Sequence, residues 1–227
     1  MTERILIIGG GLSGLSAGCY ARMSGFETHI LEHAATTGGV CTAWSRAPYL
    51  VDGCIHWLTG AEPGGMFRRV YEELGVIRDV KLEPLRHFAR FEDPGAGWAL
   101  DLVQDLDDMQ AKLQALGPDD TAAISQLFEA IREQRALQMP IDQPPELSSL
   151  ADGMKRLWGM RKLAPLLIHF RGSVHDWADA HVTSAALRDV LKAVLIPEMP
   201  AIFLPFMLAL IGTGQLSRPV GGSGAFS

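Results

Sequence analysis

Apolar residues run unbroken from Ile5 to Ile8, recur at helical spacing from Leu12 to Ser24, and form a second short run that ends at Leu31. A continuous apolar run bounded by glycines suits a strand buried on both faces, so strands are expected over 4–8 and 27–31, with a helix over 12–24 between them. Strand, helix, strand in this order is a βαβ unit, whose strands pair in parallel. Met66, Val70, Tyr71 and Leu74 share a helical face, which predicts a helix over 64–74 with Gly75 as its C-terminal cap.

The pattern then changes. Two strand-like pieces, 87–91 and 98–102, flank Asp93, Pro94 and Gly95, whose turn chemistry predicts a hairpin. Helices are expected over 106–116 and 121–137. Pro118, Asp119 and Asp120 precede the second, acids suited to a helix N-terminus, and Pro140, Pro144 and Pro145 follow it. Further helices are expected over 152–163, 173–180 and 184–196, the last with Thr183 as N-cap. No internal repeat is visible.

Between Met199 and Ser217 no residue is charged, close to the ~20 apolar residues of a membrane span. Pro197, Pro200 and Pro205 interrupt the wider stretch and argue against one straight spanning helix. Two expectations stay open: a buried core helix starting after Pro200, or a lid that receives a hydrophobic substrate and dips into one bilayer leaflet. The stretch from Ile5 to Cys19 is too rich in glycine for a signal peptide and has only Arg4 ahead of it among basic residues.

Charge and cysteine usage narrow the function. Twenty Lys and Arg against 26 Asp and Glu leave a net charge of −6, which disfavours a nucleic-acid binder and favours a small or lipid-like partner. Cys19, Cys41 and Cys54 show no CxxC spacing, so neither a disulfide framework nor a zinc site is suggested, and a reducing, cytoplasmic compartment fits. Nothing in the sequence fixes the oligomeric state.

Gly9, Gly11 and Gly14 spell GxGxxG where the first strand should turn into the first helix. Their expected roles are a tight turn, close backbone approach to a pyrophosphate, and close packing of helix on strand, with Gly18 extending the small face. The helix mouth at Leu12 and Ser13 offers unpaired amides and a positive dipole end, enough to hold a diphosphate without a basic side chain. Glu32, eighteen residues past Gly14, stands where ribose hydroxyls need an acceptor, and its charge repels a 2′-phosphate. Gly38 and Gly39 follow closely, a second place where bare backbone could approach a cofactor, for which an NAD domain has no evident need.

The runs GGGLSGLSAG, TTGGVCTAW and YLVDGCIHWLTG, with Glu32 in position, resemble the phytoene desaturase, carotenoid isomerase and retinol saturase group of amine oxidase-like flavoproteins. The likeness continues less specifically through RVYEELGV and the DPG turn to PVGGSGAFS. It implies FAD as cofactor, contacts from Gly9, Gly11, Leu12, Ser13, Gly14, Glu32, Gly38, Gly39 and Val40, and Asp52 and His56 on a nearby loop. Val40 stands where the group often carries a basic residue.

The implied fold class is α/β: a Rossmann-like FAD-binding domain, incomplete in this sequence, into which a largely helical α+β substrate or lid domain is inserted. The expected boundaries are 1–76 for the FAD part, 77–216 for the inserted domain, and 217–227 for the start of the return. Relatives in the group run to about twice this length, so the closing strands and a second flavin motif are expected elsewhere, and an isolated chain is expected to be poorly stable.

The implied activity is hydride transfer between flavin and a carbon-carbon bond of a polyene or other isoprenoid-like substrate, with no catalytic residue assignable. Two rivals remain: an amine or porphyrinogen oxidase of the same superfold, and a non-catalytic lipid carrier like the GDP dissociation inhibitors, which intact GxGxxG plus Glu32 disfavours. His169, His175, Asp176 and His181 match no metal-ligand spacing, and no metal is expected. Cys41 and the tryptophans Trp44, Trp57 and Trp98 are expected to pack.

Overall fold

A computed structural model describes residues 3–134, 149, 151–154, 158, 161 and 163–226. The fold is α/β, and the chain divides into two compact units, 1–85 with 216–227, and 86–215.

The first unit opens with β1 (Arg4–Ile8), α1 (Leu12–Met23) and β2 (Glu27–Leu31). β1 and β2 pair in parallel with Ile7 opposite Ile30. Ile5 and Ile7 face α1, while Leu6 and Ile8 alternate to the other face and are exposed, so the strand expected to be buried on both faces is covered on one only. β3 (Ala43–Arg46) and β4 (Tyr49–Asp52) form an antiparallel hairpin. β5 (Leu58–Thr59) and β6 (Leu82–Pro84) then pair on either side of β9 (Leu216–Pro219), which arrives from the far end of the sequence.

Between β5 and β6 lies α2 (Arg68–Glu73), shorter than the periodicity of 64–74 predicts. The reason is local: Gly64 has φ of 79°, and a Cβ on Gly65 would lie 2.4 Å from the Gly60 carbonyl oxygen, so the chain turns tightly back on itself before the helix begins. Gly75, at φ 71°, follows the helix in the left-handed conformation of a C-terminal cap. Residues 77–85, grouped with the inserted domain from sequence, lie in the first unit because β6 is tied to β9.

The second unit carries the predicted hairpin, β7 (His87–Asp93) with β8 (Trp98–Val103), and then α3 (Leu106–Leu116), α4 (Thr121–Gln134), α5 (Leu163–His169), α6 (Val174–His181), α7 (Ala185–Val194) and α8 (Phe203–Gly212). Leu100 and Leu102 of β8 point into the core, beneath α3 and α8. Leu113, Phe128, Leu187, Leu204 and Leu208 are fully buried there. Most of α8 is buried, from Leu204 to Ile211 with only Phe206 less so, which fits a core helix after Pro200. Gly212 lets it close on α3: a Cβ there would sit 2.2 Å from Leu106 Cδ2. Among the described residues no helix is long and apolar enough to cross a membrane.

Two capping expectations need correction. Ser184, not Thr183, caps α7, its hydroxyl accepting from the Leu187 amide at 3.4 Å. Asp120 does not serve α4; it lies in a 3-10 turn over Pro118–Asp120, is buried, and accepts from the Thr183 and Ser184 amides at 2.7 and 2.8 Å. A buried carboxylate needs such donors, and the unsatisfied amides entering α7 supply them. Of the helix expected over 152–163, only 152–154, Trp158, Arg161 and Leu163 fall among the described residues, as does 121–137 only to Gln134.

Candidate dinucleotide site

The glycines of the first turn differ in what constrains them. Gly9 turns the chain at φ 102°, its amide donating to the Leu31 carbonyl at 2.7 Å. Gly14 is fixed by packing, since a Cβ would lie 2.0 Å from the Gly9 oxygen and 3.3 Å from Ile7 Cγ2. Gly18 is fixed in the same way by Ile30, at 2.9 Å. Around Gly11 a Cβ would meet only the Gly39 Cα at 3.8 Å, ordinary contact, and its φ is −75°. Neither the backbone conformation nor the packing of the chain demands glycine at this position.

Gly11 is also the N-cap of α1 and has no side chain with which to satisfy the helix. The amides of the first turn, at Leu12 and Ser13, therefore stand at a helix mouth without a side-chain cap, with the positive end of the helix dipole behind them. Leu12 and Ser13 are both exposed.

Glu32 lies one residue beyond β2. Its Oε2 accepts from the Gly10 amide at 2.6 Å and its Oε1 from the Ala34 amide at 2.8 Å, so the carboxylate ties the glycine turn to the strand tip. The Ala34 and Gly10 amides hold its pKa below the usual carboxylate range. A carboxylate offers about four acceptor sites, so capacity remains for a hydroxyl beside these backbone donors.

Gly38 and Gly39, at φ 117° and 62°, lie against this turn. The Gly38 amide donates to the Gly10 carbonyl at 2.8 Å, and a Cβ on Gly39 would be 3.1 Å from the Gly11 Cα. The second glycine pair thus has a reason in the chain itself, backbone packed on backbone. Val40 beside it is exposed.

Asp52 and His56 part company. His56 is exposed, its ring 6.0 Å from that of Trp57. Asp52 accepts from the amides of Cys54 at 3.0 Å and Ile55 at 3.2 Å, and from the Ser223 hydroxyl and, at 2.9 Å, the Ser223 amide. Ser223 in turn accepts from the Ile55 amide at 3.0 Å. Burial raises the Asp52 pKa, but the bonds from Ser223, Cys54 and Ile55 together outweigh it and leave the group below its ordinary value. This latch joins the YLVDGCIH and PVGGSG runs, with Asp52 as its common acceptor. Two glycines in turn-rich sequence gave no sign of it; the signal that could have found it is Asp-Gly on one run and Gly-Ser-Gly on the other.

The residues set aside from sequence have ordinary neighbours. Trp44 lies over Gly53, where a Cβ would be 2.7 Å from its ring. Asp176 shares a capping box with Ser173, and the His181 Nδ1 donates to the Trp177 carbonyl at 2.8 Å. His169 and His181 join Phe170 and Trp177 in one aromatic cluster. Among the described residues no three His, Cys, Asp or Glu side chains are grouped to hold a metal.

This architecture, a first unit that opens with a glycine-turn βαβ and is discontinuous in sequence around a mainly helical unit, is a fold shared with solved oxidoreductases. Residues 7–74 match the NAD(P)-binding Rossmann-like domain family. The chain is 21% identical over 222 residues to 4,4'-diapolycopene oxygenase of a Methylomonas species, covering 96% of this chain and 40% of that protein. Among solved structures, putrescine oxidase bound to putrescine superposes with a TM-score of 0.57 at 17% identity, over 98% of this chain and 47% of that one. An oxidoreductase from Methanosarcina mazei gives 0.50 at 20% identity, over 98% and 47%. The chain spans less than half the length of these proteins.

Proposed function

We propose that this chain is the FAD-binding part of an oxidoreductase that acts on a carbon-carbon bond of a hydrophobic, polyene-like substrate. The observation that carries the assignment is Gly11, a glycine that nothing in the chain requires, at the uncapped mouth of α1 and beside a carboxylate with acceptor capacity to spare. Amides of Leu12 and Ser13 would hold the diphosphate, and Glu32 the ribose hydroxyls of the adenosine. Gly9, Gly14, Gly38 and Gly39 would shape that cradle. Val40 and His56, both exposed, would flank the cofactor farther along.

Bound FAD would supply two-electron chemistry, with hydride passing between substrate and flavin. What the protein contributes is grip, orientation and exclusion of water. The name of the curated relative favours a carotenoid-type substrate. The likeness to putrescine oxidase keeps amine oxidation as a second reading.

Flavin fluorescence in a titration with FAD tests the cofactor. Binding should be seen with FAD, and Gly11→Ala should weaken it about tenfold or more, one ~1.4 kcal/mol step, with an unchanged melting temperature. A chain that is folded yet leaves FAD fluorescence untouched would defeat the proposal and favour a carrier without flavin.

A further inference from the structure

The second unit buries most of its large apolar side chains but leaves a group of them in water. Met154 is 74%, Trp158 69%, Leu167 51% and Ile168 72% exposed. On α5 the division is by face: Leu166 and, just past the helix end, Phe170 turn into the core, while Leu167 and Ile168 are exposed. α8, whose apolar sequence suggested a lid, is mostly buried and offers no comparable surface. An exposed apolar group on an otherwise well-packed unit marks an interaction site.

Charge in this stretch has one sign. Between Asp152 and Asp176 fall five of the chain's 20 Lys and Arg and none of its 26 Asp and Glu, although the whole chain carries −6. The Arg161 guanidinium lies 4.1 Å from the Trp158 ring centroid, and its Nη1 donates to the Trp158 carbonyl at 3.1 Å. That stack holds a cation beside an exposed indole with further N–H donors unused. Elsewhere in the unit cations meet acids, Lys192 with Asp179 at 2.6 Å and Arg132 with Asp107 at 3.1 Å. Arg161 and Arg171 are exposed, and among the described residues neither enters an ion pair.

We infer that the surface carried by Trp158, Arg161, Leu167, Ile168 and Arg171 docks reversibly on an anionic lipid bilayer. A polyanion such as RNA would engage the cations and leave Leu167 and Ile168 in water. An apolar protein groove would take the aliphatic side chains and leave the cations unmatched. An anionic leaflet satisfies both, with headgroup charges at the guanidinium groups, the indole at the boundary and the aliphatic side chains among the acyl chains. The attachment is peripheral and belongs to the second unit, so it stands whether or not the first unit binds FAD.

The test is flotation of the 227-residue chain, without FAD, on vesicles of phosphatidylcholine alone or with about 30 mol% phosphatidylserine. The chain should float with the mixed vesicles only and be released by about 0.5 M NaCl. Leu167→Ser with Ile168→Ser should weaken binding about tenfold or more, and Arg161→Glu with Arg171→Glu should erase the preference for phosphatidylserine, both with unchanged circular dichroism. Ile8→Thr, on the exposed face of β1, should float like the parent. The inference falls if the folded parent floats equally with both vesicles or with neither, or if either double variant floats as the parent does. It falls too if Leu167→Ser with Ile168→Ser turns a sedimenting dimer into a monomer, for the face then belongs to a second copy. Should a double variant not fold, brominated phosphatidylcholine in the mixed vesicles decides: it should quench the parent's tryptophan fluorescence and leave that of Trp158→Phe unquenched.

Discussion

The two units are held together by different forces. Every one of the largest fully buried side chains, from Leu102 to Ile211, belongs to the second unit. In the first, the buried apolar residues among those described are Cys41, Ala61, Leu216 and Pro219, while Leu6, Ile8, Leu12, Leu31, Val40, Trp44 and Leu50 are exposed. Order there comes from polar ties: Glu32 to Gly10, Asp52 to Ser223, and Ser217 to Glu62. A unit built on apolar burial tolerates loss of a hydrogen bond and suffers from loss of volume. A unit built on polar ties behaves in the opposite way.

The sharpest way to break this contrast is Phe128→Ala, which empties a fully buried site in the second unit. The expected loss is ~3–5 kcal/mol, read as a lowered denaturation midpoint at unchanged slope. Next comes Asp52→Ala, which leaves the amides of Cys54 and Ser223 without their acceptor and should cost ~1–3 kcal/mol. Faster amide exchange confined to 53–56 and 222–224 would check it, and a loss spread over α3 and α4 would contradict a local latch.

Acid offers a smaller lever. Asp52 and Asp120 both have pKa values below the ordinary carboxylate value in the folded chain, so each stabilises it fully above that ordinary range. That contribution is lost as pH falls through the depressed values. Melting temperature should drop between about pH 5 and pH 3, less steeply for Asp52→Asn. Smallest of all is Ile8→Thr on the open sheet face: Ile8 is 86% exposed, so stability should hold within about 0.5 kcal/mol while light scattering shows less self-association.

What could be read from sequence follows the same division. β1, α1, β2 and the β7–β8 hairpin announce themselves because one local period decides each. So does α3, its apolar stripe bounded by Asp105 and Gly117. β5, β6 and β9 gave no such signal, being two to four residues long and existing only through pairing with distant chain. The same limit hid the true work of Asp120, whose partners lie 63 and 64 residues on. At the candidate site the residue types were legible and their reasons were not. Sequence offers Gly11, Gly14 and Gly39 as equals, and only coordinates separate a glycine the backbone packing demands from one it does not.

The central place of β9 in its three-stranded sheet sets an order of events during synthesis. A ribosome delivers β5 and β6 long before their shared neighbour, and the Asp52 latch waits for a serine 171 positions later. Contacts so distant in sequence form slowly, and the second unit shares the constraint, since α8 closes on Leu106 of α3 from more than a hundred residues away. Nascent β5 and β6 therefore spend translation without their central strand, the interval in which chaperone engagement or wrong pairing is decided.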